Sequence, residues 1–70
     1  MEFKILKTIL MLPPYSKKFH KELTLISWNG REPKYDLRGW NEDHTEMTKG
    51  VTFNREEIET FLKELGGINL

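Results

Sequence analysis

Cysteine is missing from this 70-residue sequence, and the absence removes two ways of holding a small chain together. Disulfides are excluded, and so is a cysteine-built zinc site. A chain this short buries only ~60% of the surface its unfolded form exposes, and domains of that size lean on a staple or a partner subunit. A second copy of the chain is therefore the leading source of added stability. The lack of cysteine also suits a reducing compartment. Long hydrophobic runs are missing as well: nothing approaches the ~20 apolar residues that cross a bilayer. The N-terminal apolar stretch is interrupted by Lys7 and closed by Pro13-Pro14, which is not a secretory pattern. The expectation is a soluble, cytoplasmic protein with no membrane partner.

Net charge is lacking too, with 11 basic and 11 acidic residues. The distribution is uneven. Residues 1–40 carry Lys4, Lys7, Lys17, Lys18, Lys21, Arg31, Lys34 and Arg38 against Glu2, Glu22, Glu32 and Asp36, a surplus of four positive charges. Residues 41–70 carry Lys49, Arg55 and Lys63 against seven acids, a surplus of four negative charges. On separate faces, these halves make one surface that draws polyanions and one that repels them. Charge alone favours the plainer alternative, an ordinary solvated surface.

Catalytic signatures are absent: no Gly-rich phosphate loop, no Gly-x-Ser-x-Gly, no His-Glu-x-x-His. His20 and His44 are the only imidazoles. His44 lies in Asn41-Glu42-Asp43-His44-Thr45-Glu46, with no second histidine at ligand spacing, so the segment reads as an acidic surface loop rather than a metal site. His20, near Lys18 and Lys21, reads as a strand-edge residue or a phosphate neighbour. Neither an enzyme nor a cofactor is expected.

What is present has the order of four strands and a helix. Residues 2–12 are rich in apolar and β-branched types, but Phe3, Leu6, Ile9 and Leu10 also suit a helical period. Pro13-Pro14 is expected to end the element. Residues 19–29 alternate and run into Asn29-Gly30, a hairpin-turn pair tolerant of positive φ. Lys34 to Trp40 alternates most cleanly, with Tyr35, Leu37 and Gly39 on the expected core face and Lys34, Asp36, Arg38 and Trp40 on the other. Residues 41–49 read as a turn and Gly50–Phe53 as a short strand with Val51 and Phe53 inward. Asn54 and Glu57 form a capping box, Ile58, Phe61, Leu62 and Leu65 make an apolar stripe, and Gly66-Gly67 stops the helix. Glu56, Glu57 and Glu59 fall mostly in its first turns, where the macrodipole favours negative charge.

One constellation stands out. Trp40 shares a strand face with Lys34 and Arg38, and Trp28 closes the neighbouring strand. Single-stranded nucleic acid offers bases that stack on aromatic faces and phosphates that attract Lys and Arg. Two tryptophans in the core or in a dimer seam fit the pattern equally well.

The run Ser27-Trp28-Asn29, Glu32-Pro33-Lys34-Tyr35-Asp36-Leu37-Arg38-Gly39-Trp40, Asp43-His44, Met47 and Lys49-Gly50-Val51-Thr52 resembles the bacterial YdbC-type proteins. These belong to the superfamily of the eukaryotic transcriptional coactivator positive cofactor 4. The likeness spans nearly the whole chain and ends in Leu62-Lys63-Glu64-Leu65-Gly66. The resemblance implies an α+β fold, a curved four-stranded antiparallel sheet followed by one C-terminal helix, in a two-fold dimer. It also implies sequence-tolerant binding of single-stranded DNA on the sheet surfaces and favours a strand for residues 2–12. Carried over by position, Trp28, Arg38, Trp40 and Lys49 are the expected DNA contacts.

Lys34 joins them by its strand face, with Lys17, Lys18 and Lys21 as further candidates. The leading expectation is thus a homodimeric single-stranded DNA binder, working at the nucleoid with the transcription, replication or repair machinery. RNA is the nearest alternative ligand. A protein–protein adaptor docking a peptide on exposed tryptophans is the rival from another class, and a metal-dependent enzyme built on His44 is set aside.

Overall fold

The computed structural model describes residues 2–70. Four strands, β1 (Phe3–Pro14), β2 (His20–Trp28), β3 (Lys34–Trp40) and β4 (Met47–Phe53), precede one helix, α1 (Arg55–Leu65). They form a single antiparallel sheet in the order β1-β2-β3-β4, the expected α+β architecture.

β1 resolves the ambiguous period of its sequence. It has twelve residues against nine in β2, and its pairing slips between Ile5 and Lys7, Thr8 and Leu10, and Met11 and Pro14. Each slip inserts one extra residue, which bends the strand and raises its twist. Residues sharing a face are then spaced by three more often than by two: Phe3, Ile5, Thr8 and Met11 oppose Trp28, Ile26, Thr24 and Glu22. A bulged strand thus imitates a helical repeat. The prolines do not end it: Pro14 still pairs with His20, because an edge strand spares the proline a missing donor.

The bends curl the sheet toward the face that carries Phe3, Ile26, Trp28, Asp36, Arg38 and Trp40. Phe3 pairs with Trp28 at one end of β2 and Trp40 pairs with His20 at the other, yet the Phe3 and Trp40 ring centroids are only 5.0 Å apart. The concave face therefore closes on itself. Ile26 and Trp40 are fully buried there, together with Glu22, Thr24 and Asp36.

Helix α1 touches β3 and β4 on the opposite face. Ile58 is buried, the Phe61 ring stacks on Phe53 at 5.7 Å, and Arg55 donates to the Tyr35 hydroxyl. Its start is as expected: Asn54 accepts from the Glu57 N–H and Glu57 accepts from the Asn54 N–H, each at 2.8 Å. Asn29 and Gly30 take φ of 51° and 72° at the β2–β3 turn, as that dipeptide predicts. β4 starts at Met47, earlier than expected, and Val51 is exposed rather than inward.

Candidate nucleic-acid interface

Alternation along β3 is as read from the sequence, but the inside and the outside are exchanged. Trp40 was expected on an open face and is instead fully buried, against Phe3 and the His44 ring at 5.1 Å. Tyr35 and Leu37, expected in the core, are half-buried on the helix side. The physical reason is the curl of β1, which a strand-by-strand reading does not contain. Folded this way, Trp40 presents no open ring face to a base. Its indole N–H is buried without a partner among the described residues, as is the Thr24 hydroxyl.

Arg38 shares the concave face. Its Nε and Nη2 donate to the two carboxylate oxygens of Asp36, both at 2.7 Å, and its guanidinium lies 4.6 Å from the centre of the Trp28 ring. Nη1 reaches the Met47 sulfur at 3.5 Å. Asp36 is fully buried, whereas the Arg38 side chain keeps 15% of its surface exposed. Gly50, opposite Arg38 on β4, makes room for this: a Cβ there would collide with the Arg38 stem and the Leu37 carbonyl. Trp28 is half-buried, with Phe3 tilted against it at 5.8 Å.

A second buried carboxylate organises the other end. Glu22 is fully buried and meets Nε2 of both His20 and His44, the latter at 2.9 Å. Each imidazole offers Nε2–H to a carboxylate acceptor. His44 has a left-handed backbone, with φ of 58°, which swings its ring from the β3–β4 loop onto Trp40. That loop is held by Asn41, which donates to Thr45 Oγ1 at 2.7 Å and accepts from the Glu46 N–H at 2.8 Å. The Thr45 hydroxyl in turn keeps the Asp43 carboxyl below its ordinary range. The loop is acidic, as expected, but His44 is a packing residue rather than a surface one. Among the described residues no cluster of three or more ligating side chains suits a metal ion.

The remaining cations are exposed. Lys21 and Lys49 line one open groove with Leu37, Gly39, Thr48, Gly50 and Val51; Arg38 borders it from β3, but its guanidinium is turned to the other face, toward Asp36 and Trp28. Tyr15 lies close above Gly39, and the Lys21 ammonium sits 5.5 Å from the Tyr15 ring centre. Lys17 and Lys18 border a separate groove with Met11, Leu12, Phe19 and His20. The Ser16 hydroxyl shapes that turn by accepting from the Lys18 and Phe19 N–H groups. Lys18 is paired with Glu46 at 2.7 Å, which lowers its pull on an anion. Lys34 is exposed and pairs with Ile26, two residues from Trp28.

The structure thus brings Lys21 and Lys49 together, holds Arg38 on the opposite face against Trp28 with Lys34 at the same strand parity, and sets Lys17 and Lys18 apart. Sequence reasoning missed Glu22, Asp36 and Gly50. Their signal was present: two acids sit at the same strand parity as Thr24, Ile26 and Trp40, and Asp36 lies two residues before Arg38.

Comparison with known proteins agrees with this architecture. The family model described as Transcriptional Coactivator p15 (PC4) matches residues 16–64, from the β1–β2 turn to the last turn of α1. An uncharacterized protein of Treponema pallidum (strain Nichols) is 49% identical over 49 residues, covering 70% of this chain and 58% of the relative. The chain thus spans somewhat over half the length of that relative. With the family model covering more than half of its residues, the chain belongs to the transcriptional coactivator p15 (PC4) family.

Proposed function

We propose that this protein binds single-stranded DNA without strong sequence preference, as a homodimer, in transcription, replication or repair. The observation that carries the reading is the set of cations around β3: Lys21 and Lys49 share one groove, and Arg38 presents its guanidinium beside the Trp28 ring on the other face. Cations gathered from distant parts of a neutral chain give a local field that its net charge conceals. Lys34 extends the positive surface toward Trp28, whose partly exposed indole supplies the stacking element. Lys17 and Lys18, on a separate groove and with Lys18 paired to Glu46, are the weaker contacts.

The dimer is supported by apolar surface that one copy leaves uncovered. On β1, Leu6, Ile9, Leu10, Met11 and Leu12 are exposed, and on α1 so are Phe61, Leu62 and Leu65. Exposed patches of this kind on a small domain mark an association surface. The buried Trp40 weakens the adaptor alternative, which needs two open tryptophans.

Titration with oligo(dT) at several salt concentrations tests the reading, with oligo(U) and duplex DNA in parallel. If each subunit engages ~4 phosphates, the slope of log K against log salt is about −3, from roughly −0.7 per contact on single strands. Duplex DNA is expected to bind more weakly because its bases are stacked away from protein aromatics. A slope near zero overturns the proposal, and tighter binding of oligo(U) reassigns the ligand to RNA.

A further inference from the structure

Arg38 is held in an unusual way for a residue facing a polyanion, since its charge is already matched by a carboxylate. Two of its donors are committed to Asp36 and a third reaches the Met47 sulfur. A guanidinium has five N–H donors in a rigid planar fork. One hydrogen on Nη1 and one on Nη2 therefore remain uncommitted. The plane is fixed from below by Asp36, which is fully buried, and on one face by the Trp28 ring at 4.6 Å. The missing Cβ of Gly50 leaves the stem its path. A mobile arginine loses rotamer freedom when it grips a phosphate, whereas this one has lost it on folding.

We propose that Asp36 is a positioning residue for nucleic-acid binding. It presets the terminal N–H pair of Arg38 as a fork for one backbone phosphate, beside a base lying against Trp28. The inference rests on the single-strand reading above. Asp36 does not touch the nucleic acid and acts through Arg38. Pure charge counting gives the opposite expectation: removing a carboxylate from the interface should strengthen the grip on a polyanion.

The test compares wild-type protein, Asp36→Asn and Arg38→Lys in oligo(dT) titrations, with affinities corrected for the folded fraction. Asp36→Asn is expected to bind about tenfold more weakly although it is one charge more positive, the order of one charge-assisted hydrogen bond. Arg38→Lys keeps the charge but has no fork, and is expected to lose a similar factor. The double variant should lose little more than either alone, because both changes remove the same device. Equal or tighter binding by Asp36→Asn overturns the inference. Failure of the wild-type protein to bind oligo(dT) would instead remove the single-strand reading itself. A measurement on unaltered protein covers the case in which Asp36→Asn does not fold. The Arg38 Nε–H resonance should remain protected from exchange when oligo(dT) saturates the protein, while the Nη resonances shift. Loss of the Nε–H signal on binding would show Arg38 leaving Asp36, and the inference would fall.

Discussion

Truncation of Trp40 should unfold the protein rather than merely weaken its binding. Trp40 is fully buried and contacts Phe3 and His44 at centroid distances of 5.0 and 5.1 Å. Replacing a buried Trp or Phe by Ala costs ~3–5 kcal/mol through lost transfer energy and the cavity left behind. Loss of the aromatic contacts adds roughly 0.5–1.5 kcal/mol. At about 0.05–0.15 kcal/mol per residue, a chain of this length has ~4–10 kcal/mol in total. Trp40→Ala therefore removes about half of the stability or all of it. Trp40→Phe separates the ring from its N–H. It keeps an aromatic in the site and deletes a buried donor that has no partner among the described residues, and an unpaired donor costs ~1–3 kcal/mol. The smaller ring loses packing, so the two effects offset and the net change should stay within about 1.5 kcal/mol. Urea unfolding followed by far-UV circular dichroism, at fixed protein concentration because a dimer's stability depends on it, measures both variants. The reasoning is refuted if Trp40→Ala keeps the wild-type midpoint while losing oligo(dT) affinity. That result would make Trp40 an open stacking platform after all.

Three further outcomes are expected. Lys49→Ala should weaken oligo(dT) binding and flatten the salt slope by about 0.7, one phosphate contact, without moving the melting temperature. An unchanged slope would place the strand outside the Lys21–Lys49 groove. Phe61→Asp puts a charge on a ring that stacks on Phe53 and is 44% exposed in the single copy. Sedimentation should report mass falling from twice the 8.4 kDa chain toward one chain, and a wild-type protein already at one chain would refute the dimer. Asn54→Ala removes the side-chain half of the capping box, the Oδ1 that accepts from the Glu57 N–H, and should cost ~0.5–2 kcal/mol in urea unfolding, leaving binding per folded molecule unchanged.

Local features were legible in the sequence because their causes are local. Asn54, Glu57 and the Ile58, Phe61, Leu62 and Leu65 stripe specify a helix through contacts three and four residues apart. Asn29-Gly30 specifies a turn because two adjacent residues tolerate positive φ. Strand alternation from Lys34 to Trp40 follows from backbone geometry alone. The cations that meet in the groove were also named in advance, since exposure is the ordinary fate of lysine.

Which face of β3 lies inside was beyond the reach of pattern, because alternation is symmetric and only the tertiary structure breaks the tie. Three one-residue bulges in β1 curl the sheet toward the Trp40 face, and those bulges exist only as a mismatch between two paired strands. Once the face closes, residues of the wrong polarity can be buried, provided each finds a partner. Asp36 finds Arg38, and Glu22 finds two histidines, one of them twenty-two residues away. A sequence records the acid and the base, but their pairing depends on a curvature that no single strand carries.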